Sequence, residues 1–170
     1  MNDFKIAFLS KYQFDSDAIR GAVLVTDKET KPLEFRVTEA VRPTKVQRTL
    51  YGEILYDYIL VELIAVPLLA ALTEKPKFVL VDDDMFMDVN NKQEIPVIRL
   101  EAQESVNYEK NKFIIQDIKS SKFPSLRIIV SKNLEAKLID IQQCLEEIYM
   151  IRDLLEPFKR IQQTCTQINN

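Results

Sequence analysis

Glu62-Leu-Ile-Ala-Val-Pro-Leu-Leu-Ala-Ala-Leu72, then Lys77-Phe-Val-Leu-Val-Asp82 after a short polar link, is the stretch that decides how this chain folds. The first part belongs to an apolar run from Ile59 to Leu72, interrupted only by Glu62 and Pro67, and reads as a buried core helix. It is too short to span a bilayer, so no membrane is expected. The second part is a short apolar run ending in acids, the pattern of a buried strand. A helix feeding a buried strand implies at least one sheet with a helical layer across it.

Upstream, Arg42-Pro43 marks the start of the helical region. Proline suits a first helical position because its missing N–H would be unpaired there. Val46, Leu50, Ile54, Leu55, Tyr58 and Ile59 recur at helical spacing, predicting a long helix from about Pro43 to Thr73. Pro67 should kink it or begin a second helix. Before Pro43 the period is two. Phe4, Ile6 and Phe8 alternate with Lys5 and Ala7, Gly21–Thr26 is a second apolar run, and Leu33, Phe35 and Val37 alternate with Glu34, Arg36 and Thr38. Residues 20–41 therefore read as a β-hairpin turning through Asp27–Lys31.

Downstream, Ile95–Leu100, Lys112–Ile118 and Leu126–Val130 are three further strands, the last two separated by a loop at 119–124. Leu134, Leu138, Ile141, Leu145 and Ile148 then recur in steps of four and three, capped by Ser131 or Asn133. They predict a C-terminal helix over about 132–166, some 25 residues and a short extension, with Pro157 ending or kinking the first part. The whole, residues 1–170, is one domain of α/β (or α+β) class, its mixed sheet opened by the hairpin.

Composition narrows the chemistry. The 170 residues contain no histidine and only two glycines, Gly21 and Gly52. The usual proton shuttle, the commonest metal ligand and every glycine-rich phosphate loop are therefore missing. Ser-His-Asp and Cys-His mechanisms are excluded within the chain. A net charge of −3 argues against chain-wide attraction to nucleic acid. Cys144 and Cys165 form neither a disulfide framework nor a metal-ligand spacing, and Met1–Lys5 has no secretory pattern. A cytoplasmic, reduced protein is the expectation.

Three groups of residues can carry function. Asp82, Asp83 and Asp84, at a strand end with Asp88 close behind, offer hard oxygen ligands for Mg²⁺, and a solvated acidic loop is the plainer reading. Glu62, the lone charge of its apolar run, is either a functional buried acid or the single polar edge of a buried helix. Arg42, Lys45 and Arg48, in steps of three at a helix start, form a patch for phosphates or an acidic partner, against the reading of a solvated face. Leu155, Phe158 and Ile161, around and beyond Pro157, are where a partner or second copy would dock.

The segment from Glu62 through Lys75-Pro-Lys-Phe-Val-Leu-Val-Asp82 to Ile95-Pro-Val-Ile98 resembles the middle of endonuclease V, an RNase H-like nuclease. The resemblance covers about residues 20–100. It rests on a helix carrying a glutamate, a Pro-Leu-Leu stretch, a strand ending in Val-Asp and a later Ile-Pro strand. It implies an RNase H-like core in which Glu62 and Asp82 match two acidic positions. The metal-binding aspartate of the family's first strand has no counterpart in Phe4–Leu9, and the glycine and histidine after Val-Asp are here Asp83 and Asp84.

These readings predict a non-enzymatic accessory or interaction subunit, with no cofactor, belonging to a nucleic-acid-handling assembly. Its C-terminal helix would carry the contact with a protein partner or a second copy. The alternative is a Mg²⁺-dependent phosphodiesterase or nuclease of RNase H-like fold using Glu62, Asp82 and Asp84. The third reading is a homodimeric structural protein without nucleic acid.

Overall fold

The strands are β1 (Ile6–Gln13), β2 (Ile19–Thr26), β3 (Pro32–Val37), β4 (Phe78–Val81), β5 (Val97–Ala102), β6 (Phe113–Ile118) and β7 (Leu126–Ser131). In the computed structural model, which describes residues 3–102 and 111–168, they form one sheet in the order β3-β2-β1-β4-β5-β7-β6. β1, β2 and β3 form an antiparallel meander, β4 runs parallel to β1, and β5 runs parallel to β4. β7 then pairs antiparallel with both β5 and β6. All the strands read from the alternation are present, and the sheet is mixed as expected.

Side-chain alternation divides the core into two layers. Ile6, Phe8, Phe78 and Leu80 point to one face, covered by α4 (Leu138–Tyr149) and α5 (Glu156–Ile168). Ala7, Leu9, Val79 and Val81 point to the other, where they meet Ile59, Leu60, Ile64 and Leu68. Burial of both faces explains why the central strands read as nearly continuous apolar runs.

The helical region after Pro43 departs from expectation in two ways. Thr44, rather than Pro43, begins it as the cap of α1 (Lys45–Tyr51), in a capping box with Gln47. The chain then changes direction at Gly52, whose φ of +55° is a conformation that residues with a Cβ rarely adopt. A short 3₁₀ turn leads into α2 (Leu55–Asp57), a π-helical stretch (Tyr58–Ala65) and α3 (Val66–Ala71). Pro67 lies in the first turn of α3, the helical segment that begins where the π stretch ends, in keeping with a second helix starting there. An α-helix cannot hold a proline without losing a bond and crowding the preceding turn, and a widened turn relieves both. Lys45–Ala71 is long and apolar enough by composition to cross a membrane. Its apolar residues from Ile59 to Leu69 instead pack on the sheet.

The C-terminal region is two helices rather than one. Residues 132–137 form a 3₁₀ segment without a side-chain cap from Ser131. α4 ends at Tyr149, and α5 begins at Glu156. Pro157 lies in the first turn of α5, so it opens the second helix, where its missing N–H does no harm.

Candidate functional site at the ends of β1 and β4

The parallel pairing of Leu9 with Val81 brings Ser10 and Asp82 side by side where the two strands end. Ser10 continues the face of Ile6 and Phe8, and Asp82 the face of Phe78 and Leu80, so both lie toward α5. Ser10 Oγ donates to Asp82 Oδ2 at 2.8 Å. From α5, Gln162 Nε2 donates to Ser10 Oγ at 3.1 Å and to the Lys11 carbonyl at 2.7 Å. Arg160 holds that helix in place. Its Nη2 donates to Thr30 Oγ1 at 2.9 Å in the β2–β3 turn, and it also pairs with Glu156.

One residue further along, the chain turns to the opposite face. Lys11 Nζ pairs with Asp83 Oδ2 at 3.0 Å and sits 4.6 Å from the centre of the Tyr56 ring, beside its hydroxyl. Asp83 also caps the 3₁₀ turn after β4, accepting from the Met85 N–H at 2.9 Å. The crevice therefore has an acid–hydroxyl–amide chain toward α5 and an ammonium–carboxylate–phenol group toward α2. Burial pushes the Asp82 carboxyl above the usual carboxylate range, and the Ser10 hydrogen bond and the Arg99 charge counter part of the shift.

The other acids have separate partners. Asp84 binds Arg99 Nε at 3.0 Å. Glu62 is about half exposed, with Lys92 3.8 Å away, so it occupies the polar edge of its helix. Among the described residues, the acid with almost no exposed surface is Glu101, which accepts from Arg127 Nη2 at 2.5 Å. Among the described residues, no group of three or more His, Cys, Asp or Glu side chains is placed to hold a metal ion. Glu62, Asp82 and Asp84 are not brought together as the metal alternative required.

The basic and apolar candidates also separate. Arg48 forms an ion pair with Asp17 in the β1–β2 loop, Arg42 lies beside Ser16, and Lys45 is exposed. Leu155, Phe158 and Ile161 do not form a free docking surface. Phe158 packs edge-on against Phe8 with ring centres 5.4 Å apart, Ile161 is fully buried, and Leu155 is half-buried against the same core. The kink expected to expose them is instead the turn that lays α5 on the sheet. Sequence reading missed Ser10, Lys11 and Gln162. Only the alternation of β1, extended past Leu9, could have pointed to the first two.

No family model matches this chain, and no curated protein matches it. Solved structures do. The catalytic domain of human endonuclease V is similar with a TM-score of 0.50 at 11% identity, over 99% of this chain and 82% of that one. Another human endonuclease V structure gives 0.49 at 12%, over 98% and 84%. Endonuclease V of Ciona intestinalis, bound to a 24-residue DNA containing inosine and a ribo-adenosine, gives 0.48 at 12%, over 97% and 88%. The likeness is one of fold, and it extends the resemblance beyond residues 20–100 to nearly the whole chain. It also corrects the expectation of a non-enzymatic accessory subunit. The endonuclease V catalytic domain that shares this fold is that of a nuclease, which agrees better with the phosphodiesterase alternative.

Proposed function

We propose that this protein is a phosphodiesterase acting on nucleic acid, with its centre in the crevice formed by Ser10, Lys11, Asp82 and Asp83. The observation that carries the reading is the Ser10–Asp82 hydrogen bond at the carboxyl ends of adjacent parallel strands. The crevice outside such strand ends is where open α/β sheets bind ligands. Lys11, held by Asp83, supplies a cation for a phosphate oxygen. Asp82, with its carboxyl raised by burial, is suited to hold and deliver a proton.

A two-metal clamp does not fit this donor set, because Glu62 and Asp84 are engaged elsewhere and Ser10 brings no charge. Mg²⁺ that arrives with substrate phosphates needs only one or two protein carboxylates, and with Asp83 held by Lys11, Asp82 is the one this crevice leaves open. The test is cleavage of labelled single- and double-stranded DNA and RNA, with Mg²⁺, with Mn²⁺ and with chelator. Wild-type protein should cleave at least one substrate, Asp82→Asn should not, and Glu62→Gln should match wild type. No cleavage under any condition, or equal cleavage by Asp82→Asn, would remove the reading.

A further inference from the structure

α1 gives no residue to the core. It nevertheless carries Val46 and Leu50 one turn apart, 66% and 76% exposed, and Ile54 follows just past Gly52 at 61%. A seven-residue helix is marginal in water even when well capped, and large apolar side chains clustered on solvent mark a contact surface. Charge is divided across this surface. Arg42 and Lys45 lie at its N-terminal end, whereas Glu53 and Asp57 follow its C-terminal end. Near Asp57 the stacked rings of Tyr51 and Tyr58, 4.5 Å apart, line an open groove of about 470 Å³ that also holds Glu62 and Asp88. α1 has no acid in its first turn, where the helix dipole favours one.

We propose that two copies of this chain associate through α1, antiparallel about a two-fold axis. Val46, Leu50 and Ile54 meet the same residues of the second copy, and the basic end of each α1 lies against the acidic end of the other. An isologous contact needs a self-complementary patch, and this one holds both charges and the apolar strip between them in a single chain. The acidic end of the second copy also supplies the negative charge that the α1 N-terminus lacks. The inference does not depend on the proposed catalytic reading, since its contacts use none of Ser10, Lys11, Asp82 and Asp83.

Sedimentation equilibrium on the whole protein, from about 5 to about 500 µM, covers the range in which a small interface dissociates. A concentration-dependent monomer–dimer equilibrium is expected, weaker in high salt. Leu50→Glu should be monomeric throughout with an unchanged circular dichroism spectrum and Tm, because α1 contributes nothing to the core. Lys45→Glu should raise Kd by about tenfold, and Glu53→Lys added to it should recover most of that loss. A wild-type monomer across the range, an unchanged Kd in Leu50→Glu, or no recovery in the charge-swapped pair would overturn the proposal.

Discussion

Gly21 of β2 faces Ile64 of the π-helical stretch, and replacing it measures how tightly that stretch is seated. A Cβ at Gly21 would lie 2.0 Å from Ile64 Cγ2, 3.1 Å from its Cβ and 3.3 Å from its Cγ1. Carbon atoms settle at about 3.5–4.0 Å, so Cγ2 would have to move by roughly 1.5 Å. Ile64 is fully buried and branched at Cβ, so it cannot simply swing aside. Gly21→Ala should therefore destabilise by about 1–3 kcal/mol, although a strand glycine ordinarily gains from replacement. Ile64→Ala should cost about 2–5 kcal/mol as a cavity. The double variant removes Cγ1 and Cγ2 and lets the new methyl enter their space. It should be less destabilised than the sum of the singles by about 2 kcal/mol, well outside additive scatter. Urea unfolding followed by circular dichroism gives all four corners of the cycle. Additivity within about 0.5 kcal/mol, or a Gly21→Ala protein as stable as wild type, would refute the seating argument.

Asp82→Asn should raise Tm at pH 7 while removing activity, because a carboxyl raised by burial weakens the fold once it ionises. The stability contributed by protonated Asp82 is present at low pH and falls as pH rises from the unfolded value through the folded one, so the Tm gain should vanish in acid. Tyr149, whose hydroxyl donates to the Pro124 carbonyl, is pushed up to about 12 by burial. Its contribution is full below about pH 10 and falls between about pH 10 and 12 as the unfolded chain ionises first, so Tyr149→Phe should flatten this part of the pH–stability curve. Ser10→Asp combined with Gln162→Glu would place three carboxylates on the α5 side of the crevice, with Asp82. That variant should lose Tm without metal and regain it with Mn²⁺, and no response to Mn²⁺ would show that the crevice geometry cannot hold a cation.

The fold was legible because its signals are local. Alternation in Leu33–Val37 and the apolar runs at Phe78–Val81 and Leu126–Ser131 each record which faces are buried, and burial on both faces records a central strand. The breaks were less legible because each depends on what the segment packs against. Gly52 could be read as a weak helix residue, yet its positive φ redirects the chain. Pro67 reads as a breaker only if the preceding turn is α-helical, and a π turn cannot be foreseen from propensity. Phe158 and Ile161 read as surplus on an extended helix, whereas a six-residue turn at 150–155 folds them back onto Phe8.

The site was hidden for a different reason. Sequence reading weighed Glu62, Asp82 and Asp84 as the alternative metal set, and the fold gives the first and last of these to Lys92 and Arg99. The side chain that actually meets Asp82 is the neutral hydroxyl of Ser10, which in turn accepts from the neutral amide of Gln162, 152 residues away in the chain. Neither residue type attracts notice alone, since serine and glutamine are common on any surface. Their effect depends on Asp82 being largely desolvated. A second carboxylate at either position would meet an acid already raised by desolvation, and like charges in such a site cannot both ionise without a cation. A neutral donor, Ser10, itself held by the Gln162 amide, instead serves Asp82 without adding charge. That arrangement lets the crevice fold before any cation or phosphate arrives, and it leaves Lys11 as the cation nearest an incoming phosphate. Substrate binding should then depend on Lys11 more strongly than on added metal.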